Sequence, residues 1–311
     1  MLSGFGGLRL IYLRRKIYNR VKINLMVKII KKSGQEEEFS EKKVRLSLRR
    51  AGAPSDVRDR IIKKLLPCLH KGITTTAIYQ LVYDWLKEEE VYLAAHYNLK
   101  QAVMDLGPTG YPFESFLAGI LRHYQYQTML PQSINGHCIK HEIDIIALSG
   151  KKDLFQSDRA NSCYMFECKF HNQGGVKTAA KNALYTYARF LDVKSAEIDC
   201  FSKKVKLDGA ILATNTKITS EVEKYCRCVG MKVLAWDYPK ETCLAKLVEE
   251  SGLYPLTCLA SLSRREKQRL LQEGIVFCRE LLLNEDWRYL TAKNHFEQIK
   301  KEAQEVISHK L

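Results

Sequence analysis

Short apolar runs alternate with polar breaks in the first hundred residues, a pattern typical of a small and mostly helical module. Residues 27 to 31 (VKIIK) predict a short strand, and KSGQEEEF predicts a turn followed by a second short strand. The segment SEKKVRLSLRRAG predicts a helix capped by Ser40. A second helix is predicted over residues 54–69, with Pro54 near its first turn.

The next helix is predicted from TTTAIYQLVYDWLKEEE, where one helical stripe collects the large apolar side chains. The stripe predicts a buried face made of Ile78, Leu81, Val82, Trp85 and Leu86. Helical periodicity then stops at LGPTGYP, where two glycines and two prolines predict a domain boundary between residues 105 and 106.

Another amphipathic helix follows in FESFLAGILRHY, with Glu114 at the edge of its apolar stripe. The predicted buried positions are Phe113, Phe116, Leu117, Ile120, Leu121 and Tyr124. The strand-like segments IKHEIDIIALS and CYMFECKF come next, and the polar loop between them predicts a hairpin.

The rest of the chain predicts alternating helices and strands. The helix VKTAAKNALYTYARFLDV precedes a strand (GAILATN), a helix (SEVEKYCRCVG) and a strand (MKVLAWDYP). Its expected apolar side consists of Val176, Ala180, Leu184, Tyr187 and Leu191. The order α-β-β-α-β-α-β predicts an α/β fold around a mixed central sheet over residues 106–245, and residues 246–311 read as helical.

The charge balance favours a polyanionic partner. The chain of 311 residues carries 50 Lys and Arg against 35 Asp and Glu, a net charge of +15, although a solvated basic surface explains part of such an excess. Residues 1–25 hold six basic residues and no acid. This leader is interpreted as a transit peptide, a nucleic-acid arm or a misassigned start, with Met26 favoured as the true start. Without it the body keeps about +9.

Composition also indicates the compartment. The 46% hydrophobic content is enough for two or three packed domains, and the ten cysteines form no CxxC pair. Reduced thiols in the cytoplasm fit this pattern best. The longest apolar runs are shorter than the roughly 20 residues that cross a bilayer, so we expect no membrane insertion.

Acidic and basic residues interrupt the two apolar hairpin strands. Alternation places Lys140, Glu142 and Asp144 on one face, opposite Ile139, His141, Ile143 and Ile145, and it places Glu167 and Lys169 together on the neighbouring strand. Buried carboxylates are costly unless they pair or bind a cation. Mg²⁺ or Mn²⁺ prefers oxygen ligands, so Asp144, Glu167 and the main-chain carbonyl of Cys168 form a candidate metal site bordered by Lys169. A structural ion-pair network is the alternative.

The succession of Glu114 on a helix, Asp144, and then Glu167-Cys168-Lys169 resembles the PD-(D/E)xK nucleases, closest to the Mrr-type restriction endonuclease-like branch. The resemblance covers residues 107 to 240. It implies a restriction-endonuclease-like core in which Asp144 and Glu167 bind the metal, Lys169 is the catalytic lysine and Glu114 is an auxiliary acid. The proline that the family places before the first acid is replaced by Ile143. A glutamate that only complements the helix dipole is the other interpretation of Glu114.

Residues 27 to 100 resemble the ATP-cone, a nucleotide-sensing domain of ribonucleotide reductases and some regulators. Lys31, Lys32 and Gly34, then Phe39, then Lys43 and Val44 carry the resemblance. It implies that residues 26–105 bind ATP or dATP through Lys31, Lys32 and Lys43. Lys32 and Ser33 stand where the family usually has Arg and Asp, and lysine lacks the planar fork of guanidinium. A solvated basic face is the alternative.

Further basic residues are candidate DNA contacts. Lys177 and Lys181 lie one helical turn apart after the catalytic strand, where they either reach a phosphate or form a solvated face. The C-terminal segment faintly resembles a helix-hairpin-helix that would present Arg264, Arg265 and Lys267 to phosphates, and a helical cap on the sheet is the alternative.

The sequence therefore predicts a cytoplasmic, Mg²⁺-dependent DNA endonuclease regulated by ATP or dATP. Two alternatives remain: a catalytically idle adaptor that binds DNA and senses nucleotide, and a nuclease directed to junctions or RNA. No P-loop is present in the sequence, so the nucleotide is expected to act as a regulator. A homo-oligomer is compatible with the sequence, which does not specify the oligomeric state.

Overall fold

A computed structural model describes residues 27–155, 161–200, 202–292 and 295–309. The predicted basic leader, residues 1–25, and the start at Met26 lie outside the described residues. The chain divides between Tyr97 and Asn98 into two compact units. This division precedes the predicted boundary at 105 and 106, since the Thr257 hydroxyl donates a hydrogen bond of 2.6 Å to the Ala102 carbonyl and ties residues 99–104 to the second unit.

The N-terminal unit begins with a short antiparallel hairpin of β1 (Lys28–Ile30) and β2 (Glu36–Glu38). Four described helices follow: α1 (Glu41–Arg50), α2 (Ser55–Leu65), α3 (Thr75–Glu89) and α4 (Val91–Tyr97). Ile78, Val82 and Leu86 of α3 are buried, and the other two predicted stripe residues pack against the same core. The unit therefore has its own core.

The helix ends of this unit differ in one detail from the sequence prediction. Ser40 is the N-cap residue of α1 as expected, but among the described residues its side chain accepts no capping hydrogen bond. Pro54 precedes α2 as its N-cap. Thr74 caps α3 with its side chain, which accepts a hydrogen bond of 3.0 Å from the Ala77 amide.

The second unit alternates helices and strands before its helical C-terminus. Its elements in chain order are α5 (Leu99–Met104), α6 (Tyr111–His123), β3 (Gln127–Met129), β4 (Gln132–Asn135), β5 (Lys140–Ile143), β6 (Ile145–Leu148), β7 (Cys163–Lys169), β8 (Lys177–Thr178), α7 (Ala180–Val193), β9 (Ile198–Cys200), β10 (Lys203–Val205), β11 (Gly209–Thr214), β12 (Lys217–Ile218), α8 (Ser220–Val229) and β13 (Lys232–Leu234).

The central sheet has five strands in the order β13-β11-β7-β6-β3. Strands β13, β11 and β7 are parallel, whereas β6 runs antiparallel to β7 and to β3. The predicted mixed sheet and the hairpin of β6 with β7 are therefore confirmed. Helices α7 and α6 both pack on the sheet, α7 against β11 and β7 and α6 against β3 and β6.

The strand predicted over IKHEIDIIALS is divided at Asp144. Residues before it form β5, which pairs with β4, and residues after it form β6, which pairs with β7. A single alternation across the whole segment is therefore wrong: Ile143 and Ile145 are buried, but Ile139 is 64% exposed in the turn between β4 and β5. The division leaves Asp144 at a corner between two pairs of strands.

The apolar side predicted for α7 is only partly correct, because Tyr187 packs against the core but three of the five predicted residues are exposed. Val176 precedes α7, and Leu184 and Leu191 are exposed on it. The side that faces the sheet carries instead a mixture of small, polar and charged residues, namely Ala183, Thr186, Arg189 and Val193. The reason lies in the site described below, where a carboxylate requires a buried cation.

The C-terminal segment is helical as predicted, and its described helices are α9 (Leu244–Ser251), α10 (Arg264–Gln272), α11 (Glu280–Leu283) and α12 (Phe296–Ser308). A helix-hairpin-helix would present free amides before α10. Here the Ala260 and Ser261 amides donate to the Glu302 carboxylate at 2.6 and 2.8 Å, and the Ser263 amide donates to Glu266. The segment therefore does not offer these amides to phosphates.

Throughout the described ranges, every helix is too short or too polar to cross a bilayer.

Candidate active site

Asp144 lies where β5 ends and β6 begins, beside the C-terminal end of β7. Its Oδ2 accepts a hydrogen bond of 2.7 Å from the Cys168 amide. The next residue, Ile145, is the register partner of Phe166, so the antiparallel pairing of β6 with β7 brings Asp144 alongside Glu167-Cys168-Lys169. The two predicted acidic positions are thus close neighbours on adjacent strands.

Glu167 is a buried carboxylate with a cation at each oxygen. It is 2% exposed, and Lys169 Nζ donates to its Oε1 at 2.6 Å. Arg189 donates through its Nη1 to Oε2 of the same carboxylate. The Arg189 side chain is itself 9% exposed. An unpaired buried carboxylate is costly, and here each oxygen of Glu167 has a cationic hydrogen-bond donor.

Glu114 stands in the first turn of α6, half-buried and close to the other acids. Burial, and after it the negative charges of Asp144, Glu142 and Glu167, together raise the pKa of its carboxyl to about 7, while the positive charge of Lys169 opposes them. The loop before α6 approaches it closely, since a Cβ at Gly110 would lie 3.2 Å from Glu114 Oε1. The structure therefore brings Glu114 into the electrostatic field of the predicted metal ligands.

The pKa of Asp144 is also raised, to about 6. Burial is the main cause and the charge of Glu167 is the second, while the hydrogen bond from the Cys168 amide and the positive charge of Lys169 act in the opposite direction. Asp144 and Glu114 thus share negative charge that the neighbouring cations compensate incompletely. Such mutual perturbation is frequent at functional sites.

The acids of this cluster supply oxygen donors, which are the ligands that Mg²⁺ prefers. In the described part of the chain, no three His, Cys, Asp or Glu side chains are already arranged around a common point for a metal ion. Mg²⁺ does not need such a cage, because it binds through one or two carboxylates and keeps several waters. The oxygen donors of Asp144 and Glu167 are of the type that a hard divalent cation binds, while Lys169 and Arg189 each occupy one oxygen of Glu167.

An exposed aromatic ring borders the two cations. Tyr185 on α7 is 55% exposed, and its ring centre lies 5.2 Å from the Arg189 guanidinium carbon and 5.8 Å from Lys169 Nζ. The exposed Lys181 precedes it by four residues on the same helix. Lys181, Tyr185 and Arg189 therefore form one stripe of α7 that runs from solvent into the site.

Arg189 is the site residue that the sequence reasoning missed. An arginine on a helix is usually solvated, and the large apolar residues of α7 indicated a different buried side. The available signal was the spacing of Ala183, Thr186 and Val193, small and β-branched residues that allow a helix to pack closely on a sheet. Arg189 lies between the last two of them.

The predicted relation between Lys177 and Lys181, one helical turn apart, is wrong, because Lys177 lies on β8 and α7 begins only at Ala180. Both lysines are exposed, as are Arg264 and Arg265 at the start of α10. Lys267 instead points inward, where its ammonium donates to the Thr257 carbonyl at 2.8 Å. Burial lowers the pKa of Lys267. Its contact is therefore with the main chain of the C-terminal segment.

The N-terminal unit brings two of its three candidate lysines together. Lys31 and Lys43 donate to the same oxygen of Glu37, at 2.8 and 2.9 Å, and Lys32 is exposed on the turn after β1. These contacts lower the pKa of Glu37. A cavity of about 220 Å³ adjoins them, lined by Phe39, Ser40, Lys43, Thr75, Tyr79 and Tyr97 among others.

Comparisons with known proteins connect the chain with archaeal relatives. Residues 254–307 match the family model described as AF1548-like, C-terminal. An uncharacterized protein of Archaeoglobus fulgidus is 36% identical over 166 residues, which are 53% of this chain and 83% of the relative. The crystal structure titled as the protein of unknown function AF1548 is 32% identical, with a TM-score of 0.50, and the match covers 64% of this chain and 99% of that one.

Proposed function

The chain belongs to the AF1548-like family, and from its carboxylate site we propose that it is a metal-dependent DNA endonuclease that hydrolyses phosphodiester bonds. One observation carries the proposal. Asp144 accepts the Cys168 amide hydrogen bond while Glu167 and Lys169 flank that same residue, so two acids and a lysine meet on adjacent strands. The resemblance to the PD-(D/E)xK nucleases, with a restriction endonuclease-like core, assigns these three positions to metal binding and catalysis.

The residues that would hold Mg²⁺ or Mn²⁺ are Asp144, Glu167 and the main-chain carbonyl of Cys168. A bound ion would supply Lewis-acid stabilisation of the phosphate oxygens. The mixed central sheet holds both strands in register, so the spacing of these oxygens is fixed by the fold. Arg189 positions Glu167 by donating to its second oxygen.

The side chains around these ligands transfer the proton and stabilise the developing negative charge. A water oxygen attacks the phosphorus, and the bond from phosphorus to the leaving sugar oxygen breaks. Glu114 accepts the proton of that water, because a pKa of about 7 suits a general base near neutral pH. The ammonium of Lys169 stabilises the negative charge that develops on the phosphate oxygens. Solvent protonates the leaving oxygen.

A second candidate function has its own supporting observation. Lys169 and Arg189 already neutralise both oxygens of Glu167, which is also the arrangement expected of a structural ion-pair network. In that case the protein is an idle adaptor that binds DNA and senses nucleotide. A nuclease directed to junctions or RNA is a variant of the first function, since the same chemistry serves either nucleic acid.

Regulation by ATP or dATP is proposed for the N-terminal unit, which we interpret as an ATP-cone. The convergence of Lys31 and Lys43 on one carboxylate beside an aromatic-lined cavity supports this. Its volume of about 220 Å³ is below the range of pockets that enclose a drug-sized ligand. The cavity therefore suits the adenine base of ATP or dATP, and the phosphates would lie outside it, in contact with Lys31 and Lys43.

The decisive experiment incubates the full chain with supercoiled plasmid, linear DNA and RNA, in Mg²⁺ or EDTA. We expect Mg²⁺-dependent nicking of plasmid DNA and a loss of roughly 100-fold or more in Lys169→Ala. The matched control is Lys232→Ala, which removes the same charge from an exposed position on β13.

Each alternative has a distinct result in this assay. If Lys169→Ala nicks DNA as fast as the parent, the catalytic role of Lys169 is wrong. If the parent binds DNA but leaves it intact in every condition, the idle adaptor is correct. Cleavage confined to RNA, or to a branched DNA added as a fourth substrate, identifies the remaining alternative.

A further inference from the structure

A polar cleft lies between α10 and the loop that joins α5 to α6. It has a volume of about 430 Å³, within the range of small-molecule sites. Its lining includes Asp105, Pro108, Asn172, Arg264, Lys267 and Gln268. Three separate segments of the second unit therefore build it: the α5–α6 loop, the residues after β7 and helix α10.

This α10 cleft begins close to the candidate active site. Asn172 follows Lys169 by three residues, which span at most about 10 Å of extended chain. Gly107, also in the lining, lies directly on Phe170, because a Cβ at Gly107 would lie 2.4 Å from the phenyl ring. Since a nucleic-acid strand rises about 3.4 Å per nucleotide, the cleft lies within about three nucleotides of the scissile phosphate.

The chemistry of the lining distinguishes a base from a phosphate. Asn172 and Gln268 each offer both a donor and an acceptor, which is the pattern of side chains that read base edges. Asp105 adds an acceptor that would repel a phosphate, and Gln101 fixes that carboxylate with a hydrogen bond of 2.8 Å. Pro108 supplies apolar surface for the face of a ring.

The two cations of the cleft have different roles. Lys267 is held by the Thr257 carbonyl at 2.8 Å and forms part of the wall. Arg264 is exposed at the first position of α10, where its guanidinium is accessible to a ligand. The cleft therefore has one accessible cation, two side-chain amides and a carboxylate. This combination suits a neutral base inside the cleft and a phosphate beside Arg264 at its rim.

We infer that the α10 cleft receives one unstacked base of the substrate strand, within about three nucleotides of the phosphate that is cut. The inference rests on the proposed nuclease function and defines its substrate class further. Extruding a base from a duplex costs a few kcal/mol and costs least where the base is mismatched or unpaired. The enzyme would therefore prefer DNA with a locally unpaired nucleotide near the cleavage point.

The test places the fluorescent base 2-aminopurine at successive positions of a DNA oligonucleotide and measures binding by the full chain in EDTA. We expect fluorescence to rise at one position within about three nucleotides of the cut that the parent makes in Mg²⁺. The double variant Asn172→Ala with Gln268→Ala should abolish that rise and weaken binding about tenfold. Both residues are exposed, so the variant is expected to fold.

Gln272→Ala is the matched control. Gln272 is an exposed glutamine one turn further along α10 and lies outside the cleft lining, so its variant should retain the full fluorescence change. A rise that persists in the double variant would show that the base unstacks elsewhere, and the inference would be wrong.

The outcomes separate this inference from the proposed function. If the parent binds and cuts DNA while no 2-aminopurine position changes, the cleft inference fails and the nuclease function stands. If the parent neither binds nor cuts, both fail. The third outcome is that the protein binds DNA without cutting it and still shows a fluorescence change that the double variant abolishes. In that case the cleft recognises a base, the nuclease function is wrong and the idle adaptor is correct.

Discussion

Arg189 donates a hydrogen bond to Glu167 from the opposite side of the carboxylate to Lys169, so one buried acid is shared by a helix and its own strand. This contact fixes the rotation of α7 on the sheet, because turning the helix to bury Leu184 would withdraw the guanidinium. A buried acid between two cations is also sensitive to the loss of either partner.

Replacing Arg189 by methionine should therefore destabilise the fold by about 3 kcal/mol, the lower end for a broken buried pair because Lys169 still neutralises part of the charge. Adding Glu167→Gln should restore part of the loss, since the uncompensated charge disappears. Urea unfolding measures both changes. Arg227→Met serves as control, because its partner Glu223 is an exposed i,i+4 pair whose loss should cost less than about 1 kcal/mol. Equal effects for the two arginines would contradict the burial argument.

The raised pKa values of Glu114 and Asp144 predict how stability depends on pH in EDTA. A raised carboxyl pKa means that the folded state binds the proton more tightly, so this stabilisation is complete below the unfolded pKa and is lost as pH rises through the folded pKa. For Glu114 the window extends from about 4.5 to about 7, and for Asp144 from about 3.8 to about 6.

Glu114→Gln should remove up to about 2 kcal/mol of this pH dependence, measured as the difference between parent and variant in the free energy of unfolding at pH 4.5 and 7.5. The exposed Glu241→Gln is the control. Mg²⁺ should raise the stability of the parent more at pH 7.5 than at pH 5, because its ligands must be ionised. A Mg²⁺ effect that is the same at both pH values would count against a carboxylate metal site.

For the N-terminal unit, the predicted outcome concerns the acid that holds the two lysines. Glu37→Gln should strengthen ATP or dATP binding, because Lys31 and Lys43 would no longer be paired with a carboxylate. Lys31→Ala with Lys43→Ala should weaken it by at least about tenfold. Calorimetry on the full chain gives both values. Lys28→Ala removes the same charge from the same hairpin, where Lys28 pairs with Glu36 at 3.5 Å, and should have little effect. If none of these substitutions changes the affinity for ATP or dATP, the lysines form only a solvated basic face.

Another prediction concerns Asp192, which contacts the turn of the β4–β5 hairpin that leads into Asp144. Its carboxylate accepts the Cys138 and Ile139 amides at 2.7 and 3.2 Å and lies 2.7 Å from His141 Nε2. Asp192→Ala should therefore increase hydrogen exchange at those two amides. Under the proposed function it should also reduce cleavage, since β5 ends next to Asp144. Asp199→Asn, at an exposed position of β9, is the control. Unchanged exchange in Asp192→Ala would show that the turn is held by other contacts.

Local patterns were sufficient for much of this architecture. The buried run from Cys163 to Cys168 and the turn residues around it predicted the β6–β7 hairpin, and helical periodicity predicted α3 and α6. These features depend on neighbours that are close in the chain. Asp144 and Glu167 were found for the same reason: an acid is conspicuous in an apolar strand.

Two of the features that the sequence did not reveal depend on distant partners. Arg189 is buried because Glu167 lies on another element, and this requirement outweighs the exposure of Leu184 and Leu191 on the same helix. The break at Asp144 has a local cause instead: β5 pairs with β4, a four-residue strand whose polar sequence does not resemble a strand. As for Arg189, the partner of α5 is distant, since this helix joins the second unit through Thr257, more than a hundred residues away.

The corner at Asp144 has a mechanical consequence. The two strands that meet there belong to different pairings, so a substrate that pushes the β4–β5 hairpin outward also turns the residue whose carboxylate accepts the Cys168 amide. Under the proposed nuclease function, the width of the bound nucleic acid and the orientation of the Asp144 carboxylate would therefore be coupled.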